Sequence, residues 1–91
     1  MASIPFTTLQ NPDGTPVANG FLLIGLNQTS TALGNVISTN KVKVLLDANG
    51  NVTGSPDFFP TSSLNPPGSQ YFLSIYTATG QLISGPTILV I

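Results

Sequence analysis

Residues 70–91 read QYFLSIYTATGQLISGPTILVI, the densest apolar stretch of the chain. Tyr71, Leu73 and Ile75 fall on one side of an extended backbone, and Phe72, Ser74 and Tyr76 fall on the other. That period of two marks a strand with one buried face. Thr79-Gly80 predicts a tight turn, because glycine supplies the positive φ that such turns need. The stretch therefore reads as strand, turn, strand, short break, strand. A hairpin of this kind needs a second layer from the residues upstream.

Several upstream segments can supply it. Ile4–Gln10 alternates weakly and reads as a first strand, with Pro5 suiting an edge. Asn11-Pro12-Asp13-Gly14 is a turn, and Thr15–Gly20 is a short extended piece closed by Asn19-Gly20. Phe21–Asn27 is a second strand in which Gly25 signals a bulge or a close backbone approach. Gln28–Asn35 is polar, with a turn expected at Gly34-Asn35.

Val36–Asp47 holds the cleanest alternation: Val42, Val44 and Leu46 inward, Lys41, Lys43, Leu45 and Asp47 outward. Lysines on an outer face protect an edge strand from pairing with strangers. Asn49-Gly50 predicts a type I′ hairpin turn, with Asn51-Val52-Thr53 starting the return. Gly54–Ser69 carries four prolines, so no regular element is expected to run through it. Six or seven short strands follow, with turns about every 8–12 residues, as in a small antiparallel β-sandwich. The expected core is Val42, Val44, Leu46, Tyr71, Leu73 and Ile75. The 91 residues make one domain, 1–91.

Composition excludes more chemistry than it suggests. Charged residues are 5% of the chain, against roughly 25% in an ordinary soluble domain. Two lysines and no arginine exclude a phosphate-binding nucleic-acid surface and a polybasic membrane contact. No apolar run approaches the ~20 residues of a membrane span, and MASIPFTTLQ shows neither the basic n-region nor the apolar h-region expected of a secretory signal. Without cysteine there is no thiolate site, and without histidine the usual general base and the commonest metal ligand are missing.

Other motifs reduce to backbone chemistry. Asp47-Ala48-Asn49-Gly50-Asn51 places oxygen ligands at alternate positions, yet its glycine is fourth rather than sixth and the chain has no glutamate. It reads as a hairpin turn, with no calcium site. Asp13 and Asp47 each lie near a turn glycine, Asp57 follows Pro56, and nothing pairs them for acid–base work. The glycosylation patterns at Asn27-Gln28-Thr29 and Asn51-Val52-Thr53 are expected by chance in a chain with 8 Asn and 11 Thr. No catalytic residue, cofactor or metal ligand is expected.

Phe58-Phe59-Pro60 with Tyr71 and Tyr76 is the aromatic constellation able to anchor a partner or stack on sugar rings. Adjacent residues in extended chain point opposite ways, so one of Phe58 and Phe59 should be buried and the other exposed. At the C-terminus, Ile88-Leu89-Val90-Ile91 cannot all enter one core, so either Ile88 and Val90 or Leu89 and Ile91 should face away. Phe58, Phe59, Pro60, Ile88, Leu89, Val90 and Ile91 are thus the candidate interface. Net charge −1 leaves little to repel a second copy.

Three stretches carry a family resemblance: Gly14-x-Pro16-Val17-Ala18-Asn19-Gly20, Leu46–Val52, and Leu64-Asn65-Pro66-Pro67-Gly68-x-x-Tyr71 with Ala78-x-Gly80. Over about Gly14 to Ile91 the chain resembles prealbumin-like or carboxypeptidase-regulatory-like β-sandwich modules. Such modules recur in bacteriophage tail, baseplate and fibre proteins. The resemblance implies a non-enzymatic virion component, made in the host cytoplasm, that self-assembles or contacts a neighbouring virion protein. The alternative is a glycan-binding or adhesin module at a cell surface.

Overall fold

The computed structural model describes residues 1–91. Eight strands occur in chain order: β1 (Ala2–Ser3), β2 (Phe21–Leu26), β3 (Ser30–Ala32), β4 (Asn35–Ile37), β5 (Val42–Leu45), β6 (Asp57–Phe58), β7 (Tyr71–Tyr76) and β8 (Leu82–Leu89). A single 3₁₀ turn covers Thr61–Ser63, and there is no α-helix. Every strand pair is antiparallel. The main sheet runs β5-β2-β7-β8, and two small ribbons pair β1 with β6 and β3 with β4. The molecule measures 40 × 21 × 19 Å.

The register explains the core. Leu22 lies opposite Val44 and Ile75, and Ile24 lies opposite Val42 and Leu73. Directly opposed residues share a face, so these side chains form one apolar layer. Leu22 and Ile24 at its centre are 0% and 1% exposed. Ile4, Val17, Ala32, Phe58 and Leu64 join the same buried cluster from the irregular segments and the ribbons. The Tyr71 ring meets Phe58 edge-on, and its hydroxyl donates to the Phe59 carbonyl at 2.7 Å. Ser30 donates to Ser69 and Ser69 to the Pro66 carbonyl, each at 2.8 Å, so β3 is tied to the proline-rich segment without an unpaired buried hydroxyl.

Three of the hairpin loops have one design. In Asn11–Thr15, Asp47–Asn51 and Thr77–Gln81 the first N–H donates to the fifth carbonyl, and the fourth N–H donates back to the first carbonyl. The fourth residue is Gly14, Gly50 or Gly80, at φ of 85°, 76° and 88°. A glycine in the left-handed region after a tight turn lets both strands leave in register. The first residue of the second loop also caps it: the Asp47 carboxylate accepts the Asn49 and Asn51 N–H groups at 2.8 and 2.9 Å.

Several expectations are corrected. Asn49-Gly50 is not a type I′ turn, because Asn49 does not have positive φ. The two-residue turn with positive φ at both positions is Leu33-Gly34, one residue before the expected Gly34-Asn35, at 50° and 82°. Ile4–Gln10 is no continuous strand. It is anchored by buried Ile4 and by bridges at Thr8 and Gln10, while β1 lies just before it. The alternating run in Val36–Asp47 is split into β4 and β5. Val42 points to the core face yet is 46% exposed, because it sits at the sheet's end where little covers it. Ile75 is only half-buried. Gly54–Ser69 does hold a regular pair, since β6 bonds to β1 despite the prolines. Gly25 marks a close approach: a Cβ there would lie 3.0 Å from Cγ of Lys41.

Candidate functional site

The strands that bury Leu22 and Ile24 must present their alternate residues on the opposite face. Most of those residues are not polar. One row across the sheet reads Leu45, Phe21, Tyr76, Leu82; the next reads Lys43, Leu23, Ser74; the third reads Gly25, Phe72, Ile88. A solvated antiparallel face ordinarily alternates to polar residues. Here it carries three aromatic rings and four aliphatic side chains. Leu45, Leu82 and Ile88 are 55%, 48% and 58% exposed. Phe21, Leu23 and Phe72 are half-buried, but they are not among the side chains packed against the core cluster.

Local geometry shapes this face. Phe21 and Tyr76, paired across β2 and β7, stack with centroids 4.8 Å apart and planes 8° apart. The Lys43 ammonium sits 4.4 Å from the centroid of Phe21. The positive head meets the negative π-face of the ring. Below this row the small residues Gly25 and Ser74 leave a hollow of about 310 Å³. Its walls include Leu23, Lys41, Phe72, Tyr76, Leu82 and Pro86. Both lysines of the chain border the face, Lys43 in β5 and Lys41 just before it. None of the three aspartates is on the strands' outward rows or in the wall of the hollow.

The interface residues expected from sequence are scattered. Phe58 and Leu89 are 7% and 8% exposed and belong to the core, so they offer no surface. Phe59, Pro60 and Ile91 are half-buried. Phe59 is therefore not the exposed member of its pair. Ile88 and Val90 do face away, at 58% and 68% exposed. Of the set only Ile88 lies on an outward row of the main sheet. Tyr71 is 4% exposed and Phe58 is packed on it, so neither can stack on a sugar ring.

The free edge of β8 is interrupted. Its register with β7 shifts twice, between Leu73 and Ile75 and between Ile75 and Tyr76, and Pro86 lies within it. Bulges and proline are the devices that blunt an edge against strand addition. A second apolar hollow of about 210 Å³, at the other side of β2, is lined in part by Met1, Ile37, Val42 and Phe59.

Phe72 and Tyr76 were legible as one face of a strand but not as a site, and Phe21 beside them was missed. The signal was the run Phe21-Leu22-Leu23-Ile24, in which both faces are apolar. A strand apolar on both faces is one expected to be covered on both.

No three acidic or metal-ligating side chains lie together. The carboxylates of Asp13 and Asp47 are engaged within their own loops. The hydroxyl and N–H of Thr15 hold Asp13 below the ordinary value of 3.8, and the Asn51 and Asn49 N–H groups do the same for Asp47. No protein-family model matches the chain, and neither a curated protein nor a solved structure does.

Proposed function

We propose that the chain is a non-enzymatic structural and interaction module of a virion, built as a small prealbumin-like β-sandwich, and that its working surface is the open face of the main sheet. The observation that carries the reading is the character of that face. Three aromatic and four aliphatic side chains lie on one side of four paired strands, away from the core cluster. Exposed apolar surface of this kind marks a contact site. The charge-poor, Thr-, Ser- and Asn-rich composition and the turn resemblance support a virion setting.

A glycan-binding role is the weaker reading, for a geometric reason. Sugar rings stack on free aromatic faces. One face of Phe21 is taken by Tyr76 and the ring also carries the Lys43 ammonium, while Tyr71 and Phe58 are buried.

Hydroxyl-radical footprinting tests the proposal on the free chain and on sedimented particles that carry it. Protection of Phe21, Phe72 and Tyr76 in the particle, with Leu33 still reactive, is the expected result. A chain that stays in the supernatant when particles are pelleted, or equal reactivity in both states, sinks it.

A further inference from the structure

We infer that the open face is covered by a second copy of this chain, packed face to face about a two-fold axis that runs parallel to the strands between β2 and β7. This rests on the reading of that face as a contact surface and names its occupant.

Size alternation across the central strands carries the inference. Gly25 is paired laterally with Phe72, and Leu23 with Ser74. In each pair one side chain is large and the other is small, and the large one changes strand from row to row. A two-fold axis along the strands lays β2 over β7 of the other copy. Phe72 then meets Gly25 of the second copy, and Leu23 meets its Ser74. In these two rows each projection enters a hollow, as packing at interior density requires, and in the remaining row Phe21 of one copy meets Tyr76 of the other, aromatic on aromatic. The contact is isologous, so every such match occurs twice. The exposed Lys41 stem now lying across Gly25 swings to the rim, and the Lys43 ammonium leaves the Phe21 ring for the β8 edge.

Charge selects the same axis. The alternative two-fold, perpendicular to the strands, sets β5 over β5, opposes Lys43 to Lys43, and brings Leu23 onto Leu23. The axis along the strands sets β5 over β8 instead. Lys41 and Lys43 then cross Ile88 and Pro86 of the other copy, strands without charge. Their stems cover apolar surface and their ammonium groups reach water past the β8 edge. The net charge of −1 per copy adds little repulsion.

Area sets the strength. Four strands about 4.8 Å apart and six residues long at about 3.4 Å cover roughly 400 Å² in plan per copy. That is below the value of about 800 Å² of accessible surface per partner usual for a stable interface and falls in the range of weak, transient contacts. The dimer is therefore concentration-dependent.

Sedimentation velocity from about 5 to 500 µM reads the association. Ile88 faces Lys41 of the other copy, so Ile88→Glu tightens the dimer about tenfold and Ile88→Lys weakens it about tenfold. The chain has no cysteine, so an introduced thiol is unique. Leu23→Cys, near the axis, joins two chains through a short bismaleimide, and Ile88→Cys, at the sheet's flank, does not. Cross-linking through Ile88→Cys and not Leu23→Cys overturns the inference in favour of edge pairing. So do equal effects of Glu and Lys at position 88, or a wild type monomeric at every concentration. Thiol reactivity of Leu23→Cys in the dilute monomer separates the two levels. Fast labelling of a chain that never dimerises removes the second copy but keeps the open face. Slow labelling shows that the chain covers the face itself, and both readings fall.

Discussion

Replacing Leu33 with asparagine should stabilise the protein. Leu33 occupies the first corner of the β3–β4 turn at φ 50°, followed by Gly34 at φ 82°. A side chain with a Cβ costs roughly 1–2 kcal/mol in the left-handed region, and leucine has no polar group to recover any of it. Asparagine tolerates that region, and Asn-Gly is the preferred pair for a two-residue turn with both φ positive. Leu33 is 80% exposed, so little burial is lost on its removal. The expected gain is about 1 kcal/mol, or roughly 4–8 °C in Tm for a domain of this size. Thermal melts by circular dichroism, with urea titrations at fixed slope, measure it. Leu33→Ala is the control, because alanine removes the exposed leucine but keeps the Cβ and gains little. A Leu33→Asn protein no more stable than wild type, or an alanine variant that gains as much, refutes the backbone argument.

Leu22→Ala should cost about 2–5 kcal/mol, since Leu22 is 0% exposed at the centre of the core layer; a Tm shift of only a degree or two would show that the layer collapses around the gap. Gly50→Ala combines φ 76° with a Cβ 2.5 Å from the Leu9 carbonyl oxygen, and should cost on the order of 3 kcal/mol; an unchanged urea midpoint would contradict the loop geometry. Acid should destabilise through the loop carboxylates. Asp47 and Asp13 have folded pKa values below 3.8, so their contribution is present above the unfolded pKa and lost as pH falls through the folded one. Tm should hold between pH 7 and 5 and decline below about 4, and Asp47→Asn should flatten that decline; a profile the variant leaves untouched would remove Asp47 as a cause.

Local chemistry settled what needed only neighbours along the chain. The period of two in residues 71–76 divides the strand into Tyr71, Leu73 and Ile75 on one side and Phe72, Ser74 and Tyr76 on the other, and the β7 pairings keep that division. The glycine-bearing turns at 11–15, 47–51 and 77–81 were legible because a positive φ singles out glycine whatever surrounds it. Pairing was not legible in the same way. Whether a residue finds a ladder partner depends on a segment tens of residues away, which is why Ile4–Gln10 makes only bridges while Asp57-Phe58, among prolines, finds β1. Burial was decided at the same level. Val42 and Val44 share a face and a side-chain type, yet one is 46% exposed and the other 3%, because only Val44 lies under the residues folded over the middle of the sheet. The candidate site follows from the same cause. Alternation gives every strand two faces, but which of them the chain covers is fixed by where the N-terminal segment and the ribbons pack. They pack on the side of Leu22 and Ile24, and leave Phe21, Phe72 and Tyr76 on the other.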